Sequence, residues 1–233
     1  MNDDALTPVT EGVWLGTAPV RFLGLRLTSN MTVLRLGDGS LLLHSPVAMT
    51  PERRAAVEAL GTVAHLYAPN TFHHLRIGEW AAAFPRARLH GPAGLAKKRR
   101  DLRLDRALPG PPEPAFEGVL DEFHIRGFRL EEHVLLHRPS RTLVLADLVH
   151  DIGRPEHGWT KLYTKMMGFH DRVALSRMIR WTGFHDRRAT RECLDRVLEL
   201  PFDRIVVGHG EPITEQARER LADAYAWLPR RSA

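Results

Sequence analysis

Apolar residues recur along the chain in short runs separated by polar turns, and the spacing within the runs changes from two to about three and a half. Residues 12–15 and 31–36 read as strands. In the second, Met31 and Val33 face one side and Leu34 and Leu36 the other, the period-two alternation of a sheet with both faces covered. Gly37-Asp38-Gly39 is a turn signal that joins it to a strand over 40–44, because Asp-Gly pairs tolerate the backbone of a tight hairpin. Thr50 as N-cap, Pro51 at the first helical position and Gly61 as terminator frame a helix whose apolar face carries Ala55, Ala56, Ala59 and Leu60. A buried strand over 62–68 follows and breaks at Pro69-Asn70. His73 and His74 then open a helix running through Trp80 and Ala83.

Strands over 86–90, 132–137 and 142–146, a helix over 92–99 and a proline-rich surface loop over 109–114 continue the pattern. The strand over 142–146 ends at Asp147. A polar connection over 150–170 is too long for a structureless link inside a compact unit. It reads either as a lid over a pocket or as a solvated, partly helical insertion. Helices over 173–181 and 190–200, a strand over 203–207, a sharp turn at Gly208-His209-Gly210 and a last helix over 214–227 complete the chain. No internal repeat or low-complexity segment interrupts it.

The 233 residues are 43% hydrophobic and 26% charged, ordinary globular usage that excludes a disordered or fibrous chain and fits one domain spanning 1–233. No run approaches the ~20 apolar residues needed to cross a bilayer. The first ten residues carry Asp3 and Asp4 rather than a basic segment leading into an apolar core, which makes the cytoplasm the expected location and leaves no membrane partner. The single cysteine, Cys193, excludes an internal disulfide or a thiolate metal cluster and belongs in a helix core. A net charge of +5 permits a nucleic-acid partner. The basic segments at 97–100 and 177–191 lack interleaved aromatics, however, and read as solvated helix faces. A small molecule is the expected partner.

The 13 histidines change the picture, because imidazole is the commonest metal ligand. His73, His74, Asp147 and His209 lie in separate segments, and each follows a short apolar strand at the point where the chain turns. Ligand sites of α/β sheets gather at such carboxyl ends. Neutral imidazoles with a carboxylate suit Zn²⁺, Fe²⁺ or Mn²⁺ with a coordination position left for water.

The order of these landmarks, a strand followed by a histidine motif, a strand followed by aspartate, then a late Gly-His-Gly, resembles the metallo-β-lactamase superfamily over roughly residues 12–228. The phrases Asn30-Met31-Thr32-Val33, His44-Ser45-Pro46, Pro69-Asn70-Thr71-Phe72-His73-His74 and Ser140-Arg141-Thr142-Leu143 resemble an uncharacterised, divergent branch of it. The resemblance implies an αββα four-layer sandwich with mixed sheets inside and helices outside. It also places Pro69 and Thr71 where two histidines of the first metal position belong, so that position is dismantled. His73 takes the place of the motif's aspartate, His74 matches its last histidine, Asp147 the bridging carboxylate and His209 the final histidine. Glu131 and Glu132 are the nearest substitutes for the third-motif histidine, without an assigned role.

The implied cofactor is therefore one divalent ion, zinc first with iron or manganese as alternatives, held by His73, His74, Asp147 and His209. Asp147 and His74 would also take part in the reaction, and His44 is a candidate for orienting a ligand from behind. The implied activity is metal-dependent hydrolysis of an ester, lactone or phosphoester. The competing reading is a non-catalytic scaffold that has lost its metal. His65, His90 and His137, also on strands, read as hydrogen-bonded structural residues.

Overall fold

The computed structural model describes residues 5–229. Two sheets carry the chain. The first has seven strands in sequential order: β1 (Leu6–Thr10), β2 (Val13–Phe22), β3 (Leu25–Arg35), β4 (Leu41–His44), β5 (Val63–Tyr67), β6 (Arg88–Pro92) and β7 (Arg106–Leu108). Pairing is antiparallel from β1 to β4 and parallel from β4 to β7. The second sheet has four strands: β8 (Leu120–His124), β9 (His133–His137), β10 (Thr142–Val144) and β11 (Arg204–Val206). They lie in the order β11-β10-β9-β8, with β10 and β11 parallel.

Helices α1 (Pro51–Leu60), α2 (Ile77–Ala83) and α3 (Ala93–Lys98) accompany the first sheet. Helices α4 (Gly158–Met167), α5 (Arg177–Thr182), α6 (Arg187–Leu198) and α7 (Ala217–Ala224) follow the second.

Three apolar layers show how the alternation is used. Met31, Val33, Leu41 and Leu43 pack with Val57 of α1 and Ile77 and Trp80 of α2. Leu34, Leu36 and Leu42, one residue out of phase, pack instead with Leu135, Val144 and Val206 of the other sheet. In that second sheet Val134, Leu136, Leu143 and Ile205, each next to one of these in the chain, turn the opposite way onto Leu194 and Val197 of α6 and Leu221 of α7. The result is helix, sheet, sheet, helix, the α/β sandwich that the family resemblance implies. Cys193 is buried in α6, as expected.

Several boundaries differ from the sequence reading. The hairpin expected at Gly37-Asp38-Gly39 is β3–β4, but the strands read over 12–15 and 31–36 are the ends of a longer, unexpected hairpin in which β2 and β3 pair from Val13↔Leu34 to Phe22↔Leu25 around Leu23-Gly24, both with positive φ (49° and 77°). Gly16 and Pro19 hide this extension from a pattern search, since proline cannot donate to a ladder. Strands β1, β7 and β8 were not legible, being short or half-buried and polar. The helix assigned to begin at the histidine pair begins at Ile77, and the connection over 150–170 contains α4. That helix hangs on the long hairpin: the Arg26 amide donates to Thr160 Oγ1 at 2.9 Å and Trp159 Nε1 to the Leu23 carbonyl at 3.1 Å.

Candidate metal centre

Strands β4, β5, β10 and β11 run in pairs, two in each sheet, and the segments after their carboxyl ends meet at one end of the sandwich. Ser45 follows β4, His73 follows β5, Asp147 follows β10 and His209 follows β11. His73, Asp147 and His209 each offer a ligand atom within 4.8 Å of the others. His73 Nε2 is 3.4 Å from Asp147 Oδ1, and His209 Nε2 is 3.8 Å from the same oxygen. The two imidazoles tilt against each other at 4.9 Å between centroids. Asp147 and His73 are 9% and 6% exposed at the side chain and His209 is 18% exposed, so the cluster is buried with one flank reachable from solvent.

Each side chain is held by identifiable contacts. The carbonyl of Thr28 can only accept, so the 2.6 Å contact to His209 Nδ1 places the proton there and leaves Nε2 bare toward Asp147. Ser45 Oγ lies 2.7 Å from His73 Nδ1. Ser45 itself has a positive φ of 53°, uncommon for a residue with a side chain.

Asn70 is fully buried and uses both ends of its amide. Its Oδ1 accepts from the Phe72 and His73 amides at 2.8 Å each, and its Nδ2 donates to Asp147 Oδ2 at 2.8 Å and Glu132 Oε2 at 3.1 Å. Glu132 Oε1 accepts from the Ala146 and Leu148 amides, while Oε2 also accepts from the Asp147 amide. Glu132 is thus the clamp that shapes the turn carrying Asp147, and all its close partners are N–H donors. Glu131 points away and accepts from the Gly94 amide. Neither glutamate stands in for the missing histidine.

The Gly-His-Gly turn is required by close approach. A Cβ on Gly208 would come within 2.7 Å of both the Ala146 carbonyl oxygen and His73 Cε1. At Gly210, φ is +95° and a Cβ would overlap the Asp151 carbonyl oxygen. Asn30, buried in β3, grips this turn by donating to the Val207 and Gly210 carbonyls at 2.9 and 2.7 Å.

Two sequence assignments need correction. His74 is not brought to the cluster: consecutive side chains in the turn diverge, and His74 Nδ1 lies 3.3 Å from Arg99 Nη1, with Arg99 also donating to its carbonyl. Burial, then Lys98 and Arg99, hold its pKa below the ordinary imidazole value, a cationic setting opposed to a metal ion. Its chemical role beside Asp147 falls with its place as a ligand. His44 does not orient a ligand by contact: it stacks on Tyr67 at 5.8 Å, and the residue that touches His73 is its neighbour Ser45.

Sequence reasoning also missed His150, which packs 5.4 Å from the His209 ring, with its buried Nδ1 lacking any hydrogen-bond partner among the described residues. The signal available was its position three residues after Asp147. Asn70, Asn30 and Ser45 stand in phrases that carry the sequence resemblance and Glu132 reads as a substitute ligand, but no spacing assigns any of them the positioning role they take here.

The electrostatics follow from burial and from Asp147. Burial works against the His73 imidazolium, but the charge and hydrogen bond of Asp147, with Glu132 behind, outweigh it and hold the pKa above the ordinary value. Burial would raise Asp147, yet His73, then His209 and His150, keep it below the usual carboxylate range. Burial and the nearby His73 lower His209. Burial and the charge of Asp147 push Glu132 up to about 7 against the pull of the amides around it. Two imidazoles and a carboxylate, one histidine tautomer set by a carbonyl and an unpartnered imidazole nitrogen alongside, form a donor set suited to a divalent ion of zinc type.

Comparison with known proteins follows the same line. No family model matches the chain, and no curated protein does. Solved structures do. A metallo-β-lactamase from Pontibacter korlensis superposes with a TM-score of 0.64 at 12% identity, covering 96% of this chain and 97% of that one. The DIM-1 metallo-β-lactamase exposed to ceftazidime gives 0.65 at 15% identity, covering 96% and 97%. FIM-1 from Pseudomonas aeruginosa, in its mono-zinc form, gives 0.63 at 14% identity, covering 96% and 93%. At these identities the likeness establishes architecture: the chain has the metallo-β-lactamase fold. Among the described residues no helix is long and apolar enough to cross a membrane.

Proposed function

We propose that the protein is a metal-dependent hydrolase with a single ion, zinc first, held by His73, Asp147 and His209 and acting on a small-molecule ester, lactone or phosphoester. The observation that carries this reading is the convergence of His73 Nε2 and His209 Nε2 on one oxygen of a buried aspartate. A bound zinc ion supplies Lewis acidity, making water a nucleophile near neutral pH and polarising the carbonyl or phosphoryl oxygen of a substrate.

The chain's own residues do the positioning. Thr28 keeps the His209 tautomer, Ser45 can accept from His73 Nδ1, and Asn70 and Glu132 hold Asp147 in place. His150 supplies one more imidazole beside His209. A single ion is favoured because Pro69 and Thr71, which the sequence resemblance assigns to the other metal position, are used structurally: the Pro69 carbonyl accepts from the His133 amide and Thr71 Oγ1 donates to the Leu130 carbonyl.

The test is to strip the protein of metal, reload it with zinc, iron or manganese, and assay p-nitrophenyl esters, a lactone and a bis-phosphodiester, with His209→Ala and Asp147→Ala alongside. Metal-dependent turnover that both variants lose by a hundredfold or more supports the proposal. A second reading, a binding protein without catalysis, is favoured by the ion pair that joins His73 directly to Asp147. Absence of both metal binding at His73, Asp147 and His209 and turnover on any of the three substrate classes selects it.

A further inference from the structure

A second cluster lies away from this centre. His65 on β5, His90 on β6 and Glu113 in the proline-rich loop each offer a ligand atom within 4.8 Å of the others, and all three are buried. His65 Nδ1 and His90 Nε2 stand 2.9 Å apart. Phe116, from the short 3-10 turn that follows the loop, covers both rings at 5.2 and 5.5 Å and closes the place to solvent. Glu113 uses Oε1 to accept from Arg88 Nη1 at 3.0 Å, while Oε2, equally buried, has no hydrogen-bond partner among the described residues. A buried carboxylate oxygen without a donor is costly, and an explanation for it is called for.

We infer that His65, His90 and Glu113 form a closed structural site for a divalent ion of zinc type, which ties the proline-rich loop to the parallel half of the large sheet. Two imidazole nitrogens bound to one tetrahedral ion stand about 3.3 Å apart, given Zn–N lengths near 2.0–2.1 Å. The 2.9 Å separation therefore needs only a few tenths of an ångström of widening. The hydrogen now shared between the rings moves to another ring nitrogen, so binding requires no net loss of a proton there.

Of the neighbouring cations, Arg88 engages Glu113 through Oε1 alone and leaves Oε2 for the ion, and Arg106 has its partners elsewhere. Arg106 donates to both oxygens of Glu122 and to the Pro111 carbonyl, and it reaches His90 Nδ1 only at 3.4 Å. Burial first, then His65, Arg106 and Arg88, holds the His90 pKa at about 3, which leaves the ring in the neutral form that ligates. One carboxylate and two imidazoles favour zinc, cobalt or nickel over magnesium or calcium.

The experiment titrates chelator-stripped protein with zinc in a His209→Ala background, which removes the candidate catalytic centre. One ion per chain is expected to remain, and zinc should raise the melting midpoint. Adding Glu113→Gln should weaken that binding at least tenfold, with His65→Gln as an independent variant and circular dichroism verifying the fold. X-ray absorption of the zinc-loaded His209→Ala protein should show two imidazoles and oxygen at one ion.

Loss of all zinc binding in His209→Ala, or equal binding with and without Glu113→Gln, overturns the inference. Wild-type protein that binds only one ion, retained in His209→Ala and lost with Glu113→Gln, supports this site while refuting the hydrolase centre, whereas two ions in the wild type and one in His209→Ala support both, so the two proposals fail separately. Absence of zinc from the wild type overturns both.

Discussion

Replacing Asn70 by alanine deletes four hydrogen bonds at once, two from backbone amides and two to buried carboxylates. The neutral pair contributes about 0.5–1.5 kcal/mol per bond and the charge-assisted pair about 1.5–3 each, while water entering the gap restores part of this. A net loss on the order of 4 kcal/mol is expected, a large share of the roughly 5–15 kcal/mol that stabilises a typical domain. For a chain of this length that corresponds to a fall in melting midpoint of about 8–16 °C.

The assay is urea unfolding in the presence of a chelator, followed by zinc titration of the folded fraction. Because Asn70 sets both the turn of His73 and the carboxylate of Asp147, zinc affinity should fall together with stability. Asn70→Asp keeps the acceptor but adds a third carboxylate beside Glu132 and Asp147, and it should be at least as damaging. A change below about 1 kcal/mol, with zinc affinity intact, would refute the assignment of Asn70 as the tie between the two halves of the site.

Other expectations are equally direct. His74→Ala should leave zinc affinity at the His73 centre within about threefold, whereas His73→Ala should abolish it; equal losses in isothermal titration would restore His74 as a ligand. Gly208→Ala should drive a methyl against His73 and the Ala146 carbonyl, costing several kcal/mol and at least tenfold in zinc affinity; thermal melting at wild-type values contradicts this.

Zinc must displace the proton that Asp147 favours on His73, whose pKa lies above the ordinary imidazole value of about 6.5, so affinity at that centre should already be falling above that pH and drop about tenfold per unit once the pH is below the folded-state pKa, with proton release visible in buffers of different ionisation enthalpy. A pH-independent affinity argues against His73 as a ligand.

Burial holds His44 at about 3 and His133 at about 4, so both stay neutral in the folded chain while their unfolded counterparts protonate below about 6.5. Below that pH the unfolded state binds more protons, and stability falls as the pH drops toward the folded values. The metal-free protein should lose on the order of 3 kcal/mol between about pH 6.5 and 5 from these two groups. Stability that is flat over this range in urea titrations removes that explanation.

What could be read from the chain beforehand was what depends on local periodicity. Met31, Val33, Leu34 and Leu36 announce a strand covered on both faces, and Thr50-Pro51 with Gly61 announces α1, because each signal is complete within one segment. The location of candidate ligands was legible for the same reason: a histidine or aspartate directly after an apolar run sits at a strand end. Which ligands meet was not legible. His73 and His74 are neighbours in sequence, yet Asn70 turns one inward and Arg99 engages the other, a difference decided by residues from distant segments. Glu132, Asn30 and Ser45 act through backbone amides and carbonyls of other loops, a role no spacing encodes. The extended β2–β3 hairpin was hidden by Gly16 and Pro19, where tertiary pairing overrides local preference.

The central claim concerns one point in space between His73 Nε2, Asp147 Oδ1 and His209 Nε2. An anomalous-difference map from crystals soaked in zinc, with data collected on both sides of the zinc absorption edge, examines that point directly. A strong peak within about 2.0–2.2 Å of all three atoms, after small side-chain adjustments, is the expected result. A map at saturating zinc with no density there, and with His73 still paired to Asp147, would contradict the account.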